Sequence, residues 1–294
     1  MVPHETQGVD CFSGRCPGPR DVIARPSFGT VARCRRCGVV RVDPPRSAQA
    51  MADLHRTPEY FNHPYFAARR DISSAELTRK HRAMIEAMTA DGRRQGASLL
   101  DIGCDTGSLL CVARDEFGMQ VAGLEINERA AEVARSRHGL NVAVGTMEAA
   151  GLAPGSFDYI TMIDLIEHVS DPVGLLKSAK RLLRPGGRIY IMTPNHDALI
   201  HLIGILLDKA TGKLSRPLID HLYIPWHEFY FDARTMAAAF RQAGLSMRSA
   251  RSEEFPLDEF GHGIVLKAML WPVFQVQWLV GRQSLLVAVA ERTH

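Results

Sequence analysis

No stretch of this 294-residue chain is both long and apolar enough to read as a bilayer-crossing helix. The two most apolar segments are 198–207, about half the required length, and 264–280, which Lys267, Pro272, Gln275 and Gln277 interrupt. Charge of one sign is also scarce. The 35 Lys and Arg against 32 Asp and Glu leave a net charge of +3, and no long basic run occurs, which argues against a nucleic-acid partner. The opening residues Met1-Val2-Pro3-His4-Glu5 lack the basic and apolar regions of a secretion signal, so a cytoplasmic location is expected. Cysteines number only six, and in a reducing compartment they read as metal ligands or buried thiols. No internal repeat is visible. What remains is enough chain for one large α/β domain and a small appendage.

The appendage is expected over residues 1–45, which are rich in Cys, Gly, Pro and Arg. Cys11 and Cys16 form one pair, Cys34 and Cys37 a second, and Gly38 follows the second pair in the manner of a zinc knuckle. Four thiolates so spaced suit a closed tetrahedral Zn²⁺ site, which would supply the folding energy that so small a piece lacks. The competing reading is four unligated thiols in a flexible arm. Residues 46–92 read as a linker and N-terminal helices: a short one around Pro58-Glu59-Tyr60-Phe61 and an amphipathic one over 76–92. From 93 to 294 strands near 98–102, 120–125, 141–145, 157–163 and 187–193 alternate with helices near 107–117, 127–138 and 172–184. That pattern predicts a parallel sheet covered on both faces. A helix near 232–243 and strands near 245–251 and 284–290 complete it. The 198–226 segment reads as an insertion that lids an acceptor pocket. Its apolar part, like 264–280, suits peripheral membrane contact, a pocket for a greasy substrate, or plain core and dimer packing.

Leu99-Leu100-Asp101-Ile102-Gly103-Cys104-Asp105-Thr106-Gly107, followed by Val121-Ala122-Gly123-Leu124-Glu125-Ile126, has the layout of a nucleoside-binding βαβ unit. Gly103 lets the backbone turn sharply and Gly107 lets the next helix pack close to the strand. Glu125 ends the second strand, where it can accept from two ribose hydroxyls. The third glycine of a dinucleotide fingerprint is missing, which argues against a pyrophosphate seat. Downstream lie Ser156-Phe157-Asp158-Tyr159 through Asp164-Leu165-Ile166-Glu167-His168-Val169, and Leu182-Leu183-Arg184-Pro185-Gly186-Gly187 through Thr193-Pro194-Asn195. Taken in order, residues 99–245 resemble the class I S-adenosylmethionine-dependent methyltransferases.

The resemblance implies a Rossmann-like seven-stranded sheet of order 3-2-1-4-5-7-6 with an antiparallel last strand, and S-adenosylmethionine as cofactor. It implies that Asp101 orders the loop or meets the methionine amino group through water, with backbone at Gly103 and Cys104 alongside. Glu125 then holds the ribose, Ile126 packs on the adenine, Thr146-Met147-Glu148 covers its edge, and Ile163 lines the site. Asp105 stands where many members have glycine; aspartate tolerates positive φ, and its carboxylate either favours the cationic cofactor or is a solvated turn residue. By the same analogy Tyr60 and Phe61 close the cofactor mouth, or serve only as hydrophobic anchors.

Asp164, Glu167 and His168 fall at i, i+3 and i+4, so a helical turn would put them on one face. With His227 they resemble the E-x-x-E-H plus distant His pattern of plant small-RNA 2′-O-methyltransferases and ubiquinone-biosynthesis O-methyltransferases, which implies a catalytic divalent ion. Asp164 departs from that pattern, which has glutamate. The alternative is metal-free acid/base use of His168 or His227. The expected activity is O-methylation of a small-molecule hydroxyl on a sugar, lipid-linked glycan, quinone or secondary metabolite. Carbon methylation of a sugar, RNA 2′-O-methylation, a cofactor-binding regulator without catalysis and a dehydrogenase are the rival readings.

Overall fold

The structure is a computed structural model and describes residues 11–12, 18–57, 75–90, 92, 94–254 and 264–293. Cys16, Tyr60 and Phe61 therefore lie outside the described residues. The chain opens with three strands, β1 (Arg20–Ala24), β2 (Thr30–Cys34) and β3 (Val40–Asp43), and a short helix α1 (Ala48–His55). Helix α2 (Ala75–Met88) leads into β4 (Ser98–Ile102), α3 (Ser108–Phe117), β5 (Gln120–Glu125), α4 (Glu128–His138), β6 (Val142–Val144) and β7 (Phe157–Ile163). A 3₁₀ turn (Ile166–His168), α5 (Pro172–Leu182) and the long β8 (Leu183–Pro194) follow. Then come α6 (Leu199–Thr211), α7 (Arg216–Leu222), β9 (Phe229–Tyr230), α8 (Ala233–Ala243), β10 (Ser246–Glu253), α9 (Ile264–Leu279) and β11 (Leu285–Glu291).

Among the described residues the main sheet has seven strands in the order β10-β11-β8-β7-β4-β5-β6, the order expected from the sequence. β6, β5, β4, β7 and β8 run parallel, and β11 lies antiparallel between β8 and β10. Its central strands are apolar on both faces because both are covered: β4 is buried at all five positions. One face packs Leu100, Ile160 and Ile191 against α5 and α8. The other packs Leu99, Tyr159 and Tyr190 against α2, α3 and α4. Side chains start the helices where the sequence offers them. Asn127 accepts from Arg129 and Ala130 N–H at α4, and Asp232 and Thr235 form a reciprocal capping box at α8.

Two boundaries differ from expectation. α2 stops at Met88, before the expected end near residue 92, because the Thr89 hydroxyl donates to the Ile85 carbonyl and Gly92 turns the chain at φ +85°. β8 starts at Leu183, four residues early, because Leu183 already pairs with Phe157 before a register shift. Pro185 and Gly186, between the expected helix and the expected strand, belong to β8.

β1, β2 and β3 form an antiparallel ribbon, and β9 adds a fourth strand by pairing Val40 with Tyr230 and Arg41 with Phe229. Its small core is shared with later chain: Val31, Val40 and Val42 pack with Ile219, Tyr223 and Tyr230. No helix among the described residues is long and apolar enough to cross a membrane.

Candidate active site

A cavity of about 700 Å³ lies beyond the carboxyl ends of the parallel strands, where strand order reverses between β4 and β7. Asp101, Gly103, Cys104, Asp105, Glu125, Ile126, Met147 and Ile163 all line it. Gly107 does not: it sits behind the bend at φ +83°, caps α3, and leaves so little room that a Cβ there would lie 2.2 Å from Leu140 Cδ1. Asp105 takes φ +47°, the left-handed conformation a glycine would adopt more cheaply.

The acids of this bend are held by backbone and hydroxyl donors. Glu125 Oε2 accepts the Asp105 N–H at 2.9 Å and Oε1 accepts the Asn127 N–H at 2.7 Å. This carboxylate lines the cavity, and its acceptor chemistry suits a vicinal diol. Asp101 Oδ1 accepts the Thr161 hydroxyl at 2.7 Å. Burial raises both carboxyls to about 7, with the nearby Asp105 charge adding to each. Burial also pushes the Cys104 thiol well up, so it is a packing group, fitted against Gly123 where no Cβ intervenes.

On the other side Asp164, Leu165 and His168 wall the cavity. The three donors expected on one helical face do not share one. Asp164 takes φ +47° and donates its N–H to the Met192 carbonyl as the end of the sheet, and the 3₁₀ turn begins only at Ile166. The structure instead gathers Glu167, His168 and His227, all buried, with ligand atoms within 4.8 Å of one another. His168 faces the cavity, while Glu167 and His227 stand behind it. Its Nδ1 donates to the Trp226 carbonyl at 2.8 Å, which leaves the Nε2 lone pair available. His227 Nδ1 is buried with no hydrogen-bond partner. Burial pushes His168 down to about 3 and His227 well below its ordinary value. Burial favours the neutral form of both rings.

Several groups here gave no signal in the sequence. His55, at the end of α1, meets the His168 ring edge-on at 4.7 Å between centroids, and His168 meets His227 at 4.8 Å. Behind His227 the rings continue through Tyr230, Tyr223, His196 and His201. Arg41 and Arg46 reach in from the ribbon to Glu228, the residue after His227. In the sequence Arg41 stands between Val40 and Val42, and pairing with a residue 187 positions later is not readable from spacing.

Where the ribbon meets the main core, Cys11, Cys34 and Cys37 bring their sulfurs within 4.8 Å of one another. Gly38 N–H donates to the Cys34 carbonyl at 2.9 Å in the knuckle turn, and thiol contact with Cys11 lowers Cys37 to about 6. Thiols so gathered and acidified fit a metal.

An S-adenosylmethionine complex of phosphoethanolamine N-methyltransferase 2 from Haemonchus contortus has a similar fold, with a TM-score of 0.57 at 18% identity, over 87% of this chain and 62% of that one. The ubiquinone biosynthesis O-methyltransferase of Bordetella avium is 31% identical over 171 residues, 56% of this chain and 68% of that protein. The enzyme of the same name from Idiomarina loihiensis is 37% identical over 120 residues, 38% of this chain and 48% of its own length. The methyltransferase domain family matches residues 73–250, more than half of the chain. That match shows the family: this protein is a class I S-adenosylmethionine-dependent methyltransferase.

Proposed function

We propose that the protein methylates a hydroxyl of a small, largely apolar molecule, of the phenol or quinol class. The observation that carries this reading is the buried Glu167–His168–His227 cluster, one ring deep behind the wall of the methyl-donor cavity. The curated relatives named for ubiquinone O-methylation support it. Methyl transfer breaks the S–CH₃ bond as an O–CH₃ bond forms, releases S-adenosylhomocysteine, and requires the hydroxyl to lose its proton. An imidazole as depressed as His168 is a weak proton acceptor, and Brønsted behaviour makes it a poor general base. The same depression leaves its lone pair free, and two neutral imidazoles with one carboxylate fit a divalent cation. Such a cation lowers the pKa of an acceptor hydroxyl. Asp101, Asp105 and Glu125 give the donor side an acidic wall that suits a sulfonium.

Zinc at Cys11, Cys34 and Cys37, with Cys16 as the fourth thiolate, is proposed as a structural ion of the ribbon. Peripheral membrane contact is proposed for α6 and α9, which pack together through Phe274, Ala198 and Ile200. Leu206, Trp271, Trp278 and Leu279 are each more than half exposed on these two helices.

The test is to incubate the purified chain with labelled S-adenosylmethionine and a panel of catechols, hydroxybenzoates, prenylated phenols and sugars, and to analyse products by mass spectrometry. A methyl ether, lost on chelation and in His227→Ala, is the expected result. A carbon-methylated product, or ether formation untouched by chelation, overturns the reading.

A further inference from the structure

We infer that the ribbon is a positioning part of the acceptor side: Arg41 and Arg46 hold Glu228, and through it set where His227 stands relative to Glu167 and His168. This rests on the reading of that cluster given above. Glu228 is fully buried. Its Oε1 accepts from Arg41 Nη2 at 2.6 Å and from the Arg46 main-chain N–H at 3.3 Å, and its Oε2 accepts from Arg46 Nε at 3.0 Å. The remaining Arg46 nitrogens donate to the Pro225 and His227 carbonyls, so the guanidinium grips the chain on both sides of the turn that presents His227.

The main chain of the same residue closes the link. Glu228 N–H donates to the Glu167 carbonyl at 2.7 Å, and the Glu228 carbonyl accepts from Val42 N–H on β3 at 3.0 Å. One residue is thus tied to the turn carrying Glu167 and His168 and to the strand carrying Arg41. Arg46 also immediately precedes Ser47, which caps α1, and α1 ends in His55 against the His168 ring. Arg41 is fixed in turn by stacking over Phe229 at 4.6 Å and by donating to the Cys11 carbonyl at 3.3 Å. A buried ion pair stabilises little compared with apolar groups of the same volume. Forked, multi-point hydrogen bonds do fix orientation. The arrangement at Glu228 therefore serves placement.

Mn²⁺ binding to the full-length chain tests this, since oxygen and imidazole ligands suit that ion better than thiolates do. Arg46→Ala and Arg46→Lys are each expected to weaken Mn²⁺ about 10- to 100-fold, as losses beyond the direct ligands do, with S-adenosylhomocysteine affinity unchanged. A purely electrostatic effect has the opposite sign, because deleting a cation from the neighbourhood would tighten Mn²⁺. Val31→Ala, in the ribbon core away from Arg46, is expected to lower the melting temperature and leave Mn²⁺ affinity alone. Parental or tighter Mn²⁺ binding in Arg46→Ala, or equal weakening in Val31→Ala, overturns the inference while the cluster reading stands. A parent chain that binds no Mn²⁺, or a His227→Ala variant that binds it as the parent does, removes the cluster reading and this inference with it.

Discussion

Glu125 and Asp101 carry charge only at the cost of desolvation, and that makes cofactor binding pH-dependent. Protonated, Glu125 gives up an acceptor that the ribose needs; ionised, it has both oxygens available. Since both groups are raised to about 7, S-adenosylhomocysteine affinity measured by calorimetry is expected to rise from pH 6 to pH 8. Stability of the ligand-free protein runs the other way. A carboxyl raised in the folded state stabilises fully below its unfolded value, near 4, and that contribution is lost as pH climbs through about 7. The melting temperature is expected to fall over that interval, and less so with S-adenosylhomocysteine bound. Glu125→Ala removes two hydrogen bonds to a charged group, each worth about 1.5–3 kcal/mol, so cofactor affinity drops at least about a hundredfold. Gly107→Ala places a Cβ against Leu140 at a left-handed φ, and denaturant melts are expected to show a loss of about 2–4 kcal/mol.

At the level of elements, the methyltransferase core was legible because its signals are local. The β4–α3–β5 alternation, the glycine bend and the acid at the end of β5 each depend on neighbours within a few residues, and the strands at 98–102, 120–125 and 157–163 fall where periodicity places them. The acceptor side depends on distant pairings. An i, i+3, i+4 pattern promised a helical face at Asp164, Glu167 and His168, yet the sheet claims Asp164 through the Met192 carbonyl and starts the turn two residues later. β9 is two residues long and exists only because β3 offers an edge. Its attachment hinges on Glu228, and Glu228→Ala would leave the buried Arg41 without its carboxylate partner; breaking such a pair costs about 3–5 kcal/mol, read as a lowered denaturant midpoint.

Taken whole, the molecule joins a cofactor-binding sheet to a small ribbon that could not fold by its own apolar content. Metal analysis is expected to find one zinc per chain, with Cys34→Ser losing it and melting earlier. Vesicles carrying anionic lipid are expected to float the parent chain and not a Leu206→Ser, Trp278→Ser double variant, whose monomeric mass and cofactor affinity should match the parent. The sequence by itself determined the alternation of strands and helices and the glycine bend, because hydrophobic period, glycine and a strand-ending acid act over short spans, while its family resemblance implied the strand order that the sheet shows. Only the tertiary structure decided which imidazoles meet Glu167, that His55 joins them, and that arginines from the first fifty residues hold the chain at 228. Those contacts join groups as much as 187 positions apart, and nothing local in either segment specifies its partner.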